Sequence, residues 1–597
     1  MDSLHDLLWA LRVQDLTPRL KLLGVKPEKV NKGCLIDTLK REYNDEGLRR
    51  IWDSLSELDR AAVAETVYHP DNLYNARKVR ATYGGVPDFY IKPEGTKRWG
   101  YTQDSRNIAR IQLLLFPSIQ TQQPGLPSDL VESLRSFVPE PEAPRPPMLP
   151  GPPEEAGLIL RETTPEAVAE LRSLLRLAES GDLRASEKTS LPSAAGVHRM
   201  LGVMPNGDFY PPEIAFRPGR ESWEQEIGAL KPVGWTRMLH TARLVDIRGT
   251  KSKLTPKGMK ALSAAPHETL RMLWKKWVAN TRHDEYNRVQ AIKGQRGKGN
   301  PLTAKPPRRQ TIAAALRACP VGQWVDAQGF SRFMQAADLT FDVARDLWRL
   351  YFCERQYGSL TYEGYGGWNI LQHRYLLGLL FEYAATLGMV DVAYVHPAGA
   401  IPDLRGLWGT DDLEWLSRWD GLRAFRLTEL GAYCLGLSET YTPSLPPSTL
   451  RLETGTNLVI RQTAGTLEPA DRLLLESWAE PINEDSWKLA PLLARRAVER
   501  GQNAEEFADF LRERDPQPLP QTVEGFIDAA EQDGRAVRFQ GEALLFDCRD
   551  AKTAQRICGH KNLQNICRPT GDTGIVVPEP HANTFRKTVR AMGLGVI

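Results

Sequence analysis

The stretch Ala242-Arg243-Leu244-Val245-Asp246-Ile247, a glycine at Gly249, and then Lys253-Leu254-Thr255-Pro256-Lys257-Gly258 has a counterpart later in the chain. The counterpart is Leu387-Gly388-Met389-Val390-Asp391-Val392-Ala393-Tyr394, followed after an insertion rich in Trp by Arg426-Leu427-Thr428-Glu429-Leu430-Gly431. Each block follows a helical stretch, near 223–240 in the first and 373–385 in the second. It then gives a strand written Leu/Met-Val-Asp-hydrophobic, a loop, and a second strand ending in Leu-Thr-x-x-Gly. The threonine is placed to accept from the free N–H groups that open the next helix. The alternation of apolar and polar residues gives the paired strands one buried face. Two copies at a spacing of roughly 170 residues signal related units and not a solenoid period. Taken alone, Leu-Thr-x-x-Gly also serves as a plain strand-to-helix cap in many helical domains.

The order helix, strand, loop, strand, helix resembles the winged-helix unit. With 597 residues, the chain has room for about three to five domains at roughly 100–200 residues each. The expected fold class is α+β: a mostly helical multi-domain chain with tandem winged-helix or helix-turn-helix units and a C-terminal α/β domain. Residues 1–137 form an N-terminal domain. In it Leu16–Val25 and Leu35–Glu42 read as two helices joined by a basic loop (Lys26, Lys29, Lys32), a pattern that resembles the SAP-type helix-loop-helix of DNA-associated proteins. Helices are also expected at 61–68 and 75–83. Residues 138–157 read as a proline-rich, semi-rigid linker, because eight of the fifteen residues from 139 to 153 are proline and lack a backbone donor. Residues 158–287 are expected to form one winged-helix domain, 288–311 a basic linker, and 312–441 a second winged-helix domain with an insertion. Residues 451–597 read as a separate domain.

Seventy-seven Lys and Arg against 74 Asp and Glu leave a formal charge of only +3, so charge has to be read segment by segment. Seven cysteines, odd in number and never in a Cys-x-x-Cys pair, argue against a disulfide framework and a zinc ribbon. No run of 18 apolar residues occurs, and the N-terminus carries Asp2 and Asp6 where a secretory signal has cations. The expectation is a cytoplasmic protein that does not cross a membrane.

From residue 451 the pattern changes to short strands and capped helices, including a strand at 457–461, helices at 468–479, 490–500, 504–514 and 524–531, and strands at 536–539 and 543–548. The order Leu458-Val459-Ile460, Trp487-Lys488-Leu489, Ala497-Val498-Glu499-Arg500-Gly501, Phe510-Leu511, Pro518-Leu519-Pro520-Gln521, Gly534-Arg535, Val576-Val577-Pro578 and Phe585-Arg586 resembles the accessory, non-motor domain of bacterial XPB-type helicases. Phe425-Arg426-Leu427-Thr428-Glu429-Leu430-Gly431 is similar to the segment that precedes that domain. The resemblance implies association with DNA-unwinding or repair machinery, or with phage-defence systems that carry helicases.

The motor itself is missing. No Gly-x-x-x-x-Gly-Lys-[Ser/Thr] loop cradles phosphates, since Gly294-Gln295-Arg296-Gly297-Lys298-Gly299 follows no strand and has no hydroxyl residue after its lysine. No acidic helicase box, His-Glu-x-x-His or Gly-x-Ser-x-Gly occurs either. The chain is therefore expected to be no enzyme and to use no metal or cofactor.

Two basic stretches remain. Around the first hairpin, Arg243, Arg248, Lys251, Lys253, Lys257 and Lys260 are six cations within eighteen residues, against the single acid Asp246. Arg288, Lys293, Arg296, Lys298, Lys305, Arg308 and Arg309 follow with no acid among them. Both fit contacts to phosphate, which position a protein without reading sequence. Tyr362, Tyr365 and Trp368 sit in a glycine-rich loop suited to stacking on bases or gripping a partner. The expected function is a non-catalytic DNA-binding component that acts with a separate helicase or nuclease, in DNA processing or phage defence. The alternative is a protein–protein adaptor that recruits or regulates an ATPase without touching DNA.

Overall fold

The computed structural model describes residues 2–91, 107–216, 226–296, 299, 301–352, 359–360, 367–402, 410, 413–443 and 449–597. Helices hold 45% of the residues and strands 14%, which makes the chain a mostly helical, multi-domain α+β protein. It divides into two compact units, Met1–Thr449 with Thr466–Leu474, and Leu450–Gly465 with Leu475–Ile597. Among the described residues no helix is long and apolar enough to cross a membrane.

The first unit opens with the helices Leu4–Ala10, Val13–Leu23, Lys32–Glu42, Asp45–Asp53, Glu57–Val67 and Ala76–Tyr83. Local chemistry sets their ends. Gly24 closes the second helix at φ +74°, and Ser56 forms a capping box with Asp59 at the start of the fifth. Leu8, Leu20, Leu39, Ile51, Val63 and Leu114 meet in a core of their own.

Beyond it lies a five-stranded antiparallel sheet, in the order Met148–Leu149, Trp324–Asp326, Leu422–Leu427, Val390–Tyr394, Ile159–Arg161. The expected proline-rich linker is thus partly built into the fold. Met148 and Leu149 pair with Val325 and Trp324, Pro147 O accepts from Asp326 N, and Glu155 takes both ends of the Arg423 guanidinium. Proline's fixed φ suits an extended edge strand, and its missing N–H is no loss on the open side.

The two repeats are not separate domains. One continuous core runs from Ala167 to Leu435, so the boundaries expected at 287 and 312 fall inside it. The helix Lys231–Thr241 of the first repeat lies against the second repeat's helical stretch 369–384, which widens into π turns at Asn369–His373 and Leu379–Ala384. At Gly234 an added Cβ would meet the carbonyl oxygen of Glu382 at 2.5 Å, so only glycine allows this approach. Arg237 donates to the Tyr383 hydroxyl at 3.0 Å, and Trp277 stacks on Tyr383 with ring centres 4.2 Å apart.

The stretch expected to be a flexible basic linker closes this body. Its C-terminal part is the helix Lys305–Leu316. Arg308 holds Asp284 through two bonds of 3.0 and 3.1 Å, and Arg309 holds Glu285 through two of 2.7 and 2.9 Å. All four side chains are at most 1% exposed. Every remaining lone pair of the Glu285 carboxylate is used as well: Trp277 Nε1 and the Tyr375 hydroxyl each donate to it at 2.9 Å. Burial pushes the Glu285 carboxyl up most strongly, but the Arg309 guanidinium together with the hydrogen bonds from a backbone N–H and the Tyr375 hydroxyl holds it below the ordinary carboxylate range. Arg309 also donates to the carbonyls of Trp277, Asn280 and His283.

In the second unit the strands Arg451–Thr454, Val459–Ala464, Ser486–Leu489 and Ala479–Asn483 form one antiparallel sheet in that order. Helices Pro491–Glu499, Ala504–Arg512 and Gln521–Gly534 follow, with Trp478 stacked on Phe507 at 4.6 Å. Residues 536–539, expected to be a strand, lie outside any strand, and Val537 and Phe539 are exposed. The chain ends in a small β-α-β-β-α module over 543–591.

Two outcomes test this core. Arg309→Ala leaves Glu285 charged and buried, and should cost about 3–5 kcal/mol of stability in denaturant titration, whereas the half-buried Lys305→Ala should change it little. His283, stacked on Trp277, has its pKa lowered to about 3 by burial and by Arg237. Its neutral ring therefore favours the fold fully above the ordinary histidine pKa, and that contribution is lost as pH falls from about 6.5 toward 3. The stability gap between the natural chain and His283→Gln should thus shrink by about 1–2 kcal/mol between pH 7 and pH 5.

Candidate nucleic-acid interface

Both repeats end their central helix and cap the next one with the same bonds. In the first, Arg243 N donates to His240 O and Leu244 N to Leu239 O. In the second, Gly388 N donates to Ala385 O and Met389 N to Ala384 O. These are paired C-terminal closures that put one residue in the left-handed region. Thr255 and Thr428 then occupy one shared backbone conformation, φ −85° and ψ 165°, and their hydroxyls accept from Gly258 N and Gly431 N. A Cβ on either glycine would collide with the carbonyl oxygen of Leu244 or Met389. The Leu-Thr-x-x-Gly motif is thus a cap whose glycine lets helix and strand touch.

The hairpins pair in one register but have different surroundings. In the first, Val245–Arg248 and Lys251–Leu254 form a two-stranded ribbon that turns at Gly249, φ +62°. The segment 183–187 lies along its second strand: Arg184 bridges Lys251, Ala185 N donates to Thr250 O, Glu187 N to Gly249 O and Ser252 Oγ to Leu183 O. Val245, Ile247, Ser252 and Leu254 face inward, and Asp246, Arg248, Lys251 and Lys253 outward. In the second, Asp391 and Arg426 stand where the first has Asp246 and Lys253. They form an ion pair of 2.7 Å within the five-stranded sheet, and Asp391 also accepts from Thr163 N. The first hairpin stands outside that sheet as a two-stranded wing with its outward residues exposed.

On that wing Arg248, Lys251 and Lys253 are exposed, as are Arg243 just before it and Lys257 and Lys260 on the helix Pro256–Ser263 that follows. Arg248 lies directly across from Lys251, an arrangement that repels without a counter-charge. Asp246 bonds Arg248 at 3.0 Å, and Glu187 accepts from Gly249 N at 2.7 Å. Lys257 donates to Ala242 O at 3.0 Å, and its pKa is drawn down first by burial and then by the neighbouring cations Lys276 and Arg243. Below the wing a cleft is lined by His240, Arg243, Thr255, Asn280, Arg282 and His283. Arg282 is fixed there by the carbonyls of Glu187 and Lys188. Sequence reading did not find it, because those partners lie about 95 residues upstream.

Arg243 carries a conformational cost. It sits at φ +58°, where the second repeat has glycine and where a side chain costs about 1 kcal/mol.

The other expected contacts fare differently. Arg308 and Arg309 are locked in the core, and Arg288 donates to Glu382 at 2.8 Å and to Ala229 O at 2.7 Å with a side chain only 10% exposed. These three are ruled out as phosphate contacts because their donors are already committed to buried acceptors. Lys293 and Arg296 are exposed and Lys305 is half-buried. Lys298, Tyr362 and Tyr365 lie outside the described residues. Trp368, expected to stack on a base or partner, is buried against Phe341, with its indole N–H on Ser331 Oγ at 2.7 Å. The chain matches no model of a known protein family, and no curated protein resembles it significantly.

Arg243→Gly should separate the two roles of this position. Relief of the left-handed strain is offset in part by the greater freedom of unfolded glycine. The melting temperature is expected to stay level or rise while affinity for DNA falls.

Proposed function

We propose that this chain is a DNA-contacting component with no chemistry of its own, working beside a separate helicase or nuclease in DNA processing or phage defence. The observation that carries the reading is the wing and its flanks: Arg248, Lys251 and Lys253 exposed on the ribbon, Lys257 and Lys260 exposed on the helix after it, and Arg243 exposed just before it at a backbone position that favours glycine. A ribbon of this kind fits against a duplex backbone, where cations displace condensed counterions and fix orientation without selecting a sequence. Chemistry then belongs to the partner. The absence of phosphate-cradling, metal-ligating and nucleophile motifs from the sequence is consistent with that division of labour, as is the resemblance of the C-terminal region to a helicase accessory domain.

The test is a salt titration of binding to labelled duplex, with no other protein present. Reversing Lys251, Lys253 and Lys257 to Glu should weaken binding by a similar factor on every sequence. It should also lower the slope of log affinity against log salt by about 0.9 per lost phosphate contact. An unchanged slope removes the wing as the contact. No binding even at low salt favours the adaptor reading.

A further inference from the structure

The positive charge of this molecule is not confined to the wing. From residue 543 to the C-terminus there are eight Lys and Arg against four Asp and Glu, an excess larger than the +3 of the whole chain. These residues form the terminal module: strand Ala543–Asp547, helix Ala551–Cys558, strands Arg568–Thr570 and Gly574–Pro578, and helix Ala582–Ala591. The sheet order places Gly574–Pro578 in the middle.

Ala554 and Ile557 of the first helix and Phe585 and Val589 of the second share one core with Ile575 and Val577. Those two strand residues point to a single face, so both helices cover that face. Their outer surfaces carry Lys552 and Arg556, one turn apart, and Lys587 and Arg590, one turn apart. All four are exposed. Arg556 donates to Met592 O at 3.1 Å, which brings the end of the first helix beside the end of the second. Among the described ion pairs none involves Lys552, Lys587 or Arg590. Of the acids, Asp550 is occupied in capping the first helix through Thr553 N.

We propose that the outer surface of this helix layer is a second site for a nucleic-acid phosphate backbone, with Lys552, Arg556, Lys587 and Arg590 as the cations that meet it. Exposed cations without carboxylate partners are free to release counterions on binding, which is the main source of sequence-independent affinity. The proposal rests on the DNA-contacting reading above and extends it to a second unit of the chain. Two weak sites on one chain bind one long polyanion more tightly than either alone, because the second contact forms within the complex.

The experiment uses the full chain with Lys552→Gln, Lys587→Gln and Arg590→Gln combined, leaving Arg556 in place because it closes the neighbouring helix. Affinity for labelled duplex is measured across salt, beside the wing reversal and the two sets together. The expected result is a slope lower by about two to three units, adding to the loss from the wing. Replacement by the alternative cation (Lys552→Arg, Lys587→Arg, Arg590→Lys) should restore it. If the helix-layer variant keeps the full slope while the wing reversal lowers it, this proposal is overturned and the wing reading stands. If the wing reversal changes nothing while the helix-layer variant lowers the slope, the wing reading falls and this one stands. No binding by the unaltered chain at low salt overturns both. Displacement of the duplex by polyglutamate at equal charge also overturns this site, in favour of an acidic protein partner.

Discussion

Four charged side chains, Asp284 and Glu285 with Arg308 and Arg309, hold the middle of this molecule to one geometry. Each is removed from water, and each is tolerable only while its partner is in place. The acids follow the last long helix of the first repeat, and the arginines open the helix that leads into the second. Their pairing therefore fixes how one repeat enters the other. The second repeat joins the same network through the Tyr375 hydroxyl. A stretch that composition describes as loose and basic becomes a clasp, and the two repeats become one core carrying the wing on a fixed base.

Local grammar was legible in the sequence, and assembly was not. Leu-Thr-x-x-Gly announced two caps that match in every bond, because a cap is made by residues within four positions of one another. Helices at the N-terminus and around 469–534 were readable for the same reason. What failed were statements about separation. Asp284-Glu285 and Arg308-Arg309 are 24 residues apart, and a run of arginines among glycines and prolines looks the same in sequence whether its acids lie across a core or nowhere. The candidate site divides along that line. The six cations around the first hairpin were legible from their density within eighteen residues, and the alternation of the hairpin turns Arg248, Lys251 and Lys253 outward. Arg288, Arg308, Arg309 and Trp368 were misassigned because their partners are distant in sequence.

The repeats also illustrate how one hairpin register can serve two ends. Asp391 and Arg426 close on each other inside a sheet, whereas Asp246 and Lys253 in the same register face solvent. Placing strands on both sides converts a charge pair into a structural bond. The first ribbon has only the segment 183–187 along one edge, and its outward cations stay exposed. The left-handed position before each hairpin follows the same divide, glycine in the embedded copy and arginine in the exposed one.

The edge strand Met148–Leu149 has an effect on association. It forms one margin of the central sheet and is bracketed by Pro146, Pro147 and Pro150. A sheet margin normally offers a ladder of amide donors onto which another chain can add a strand, and proline supplies none. The same prolines that hold the strand extended make this margin a poor template, so a protein with long apolar central strands is guarded against growing sheet by sheet into aggregates.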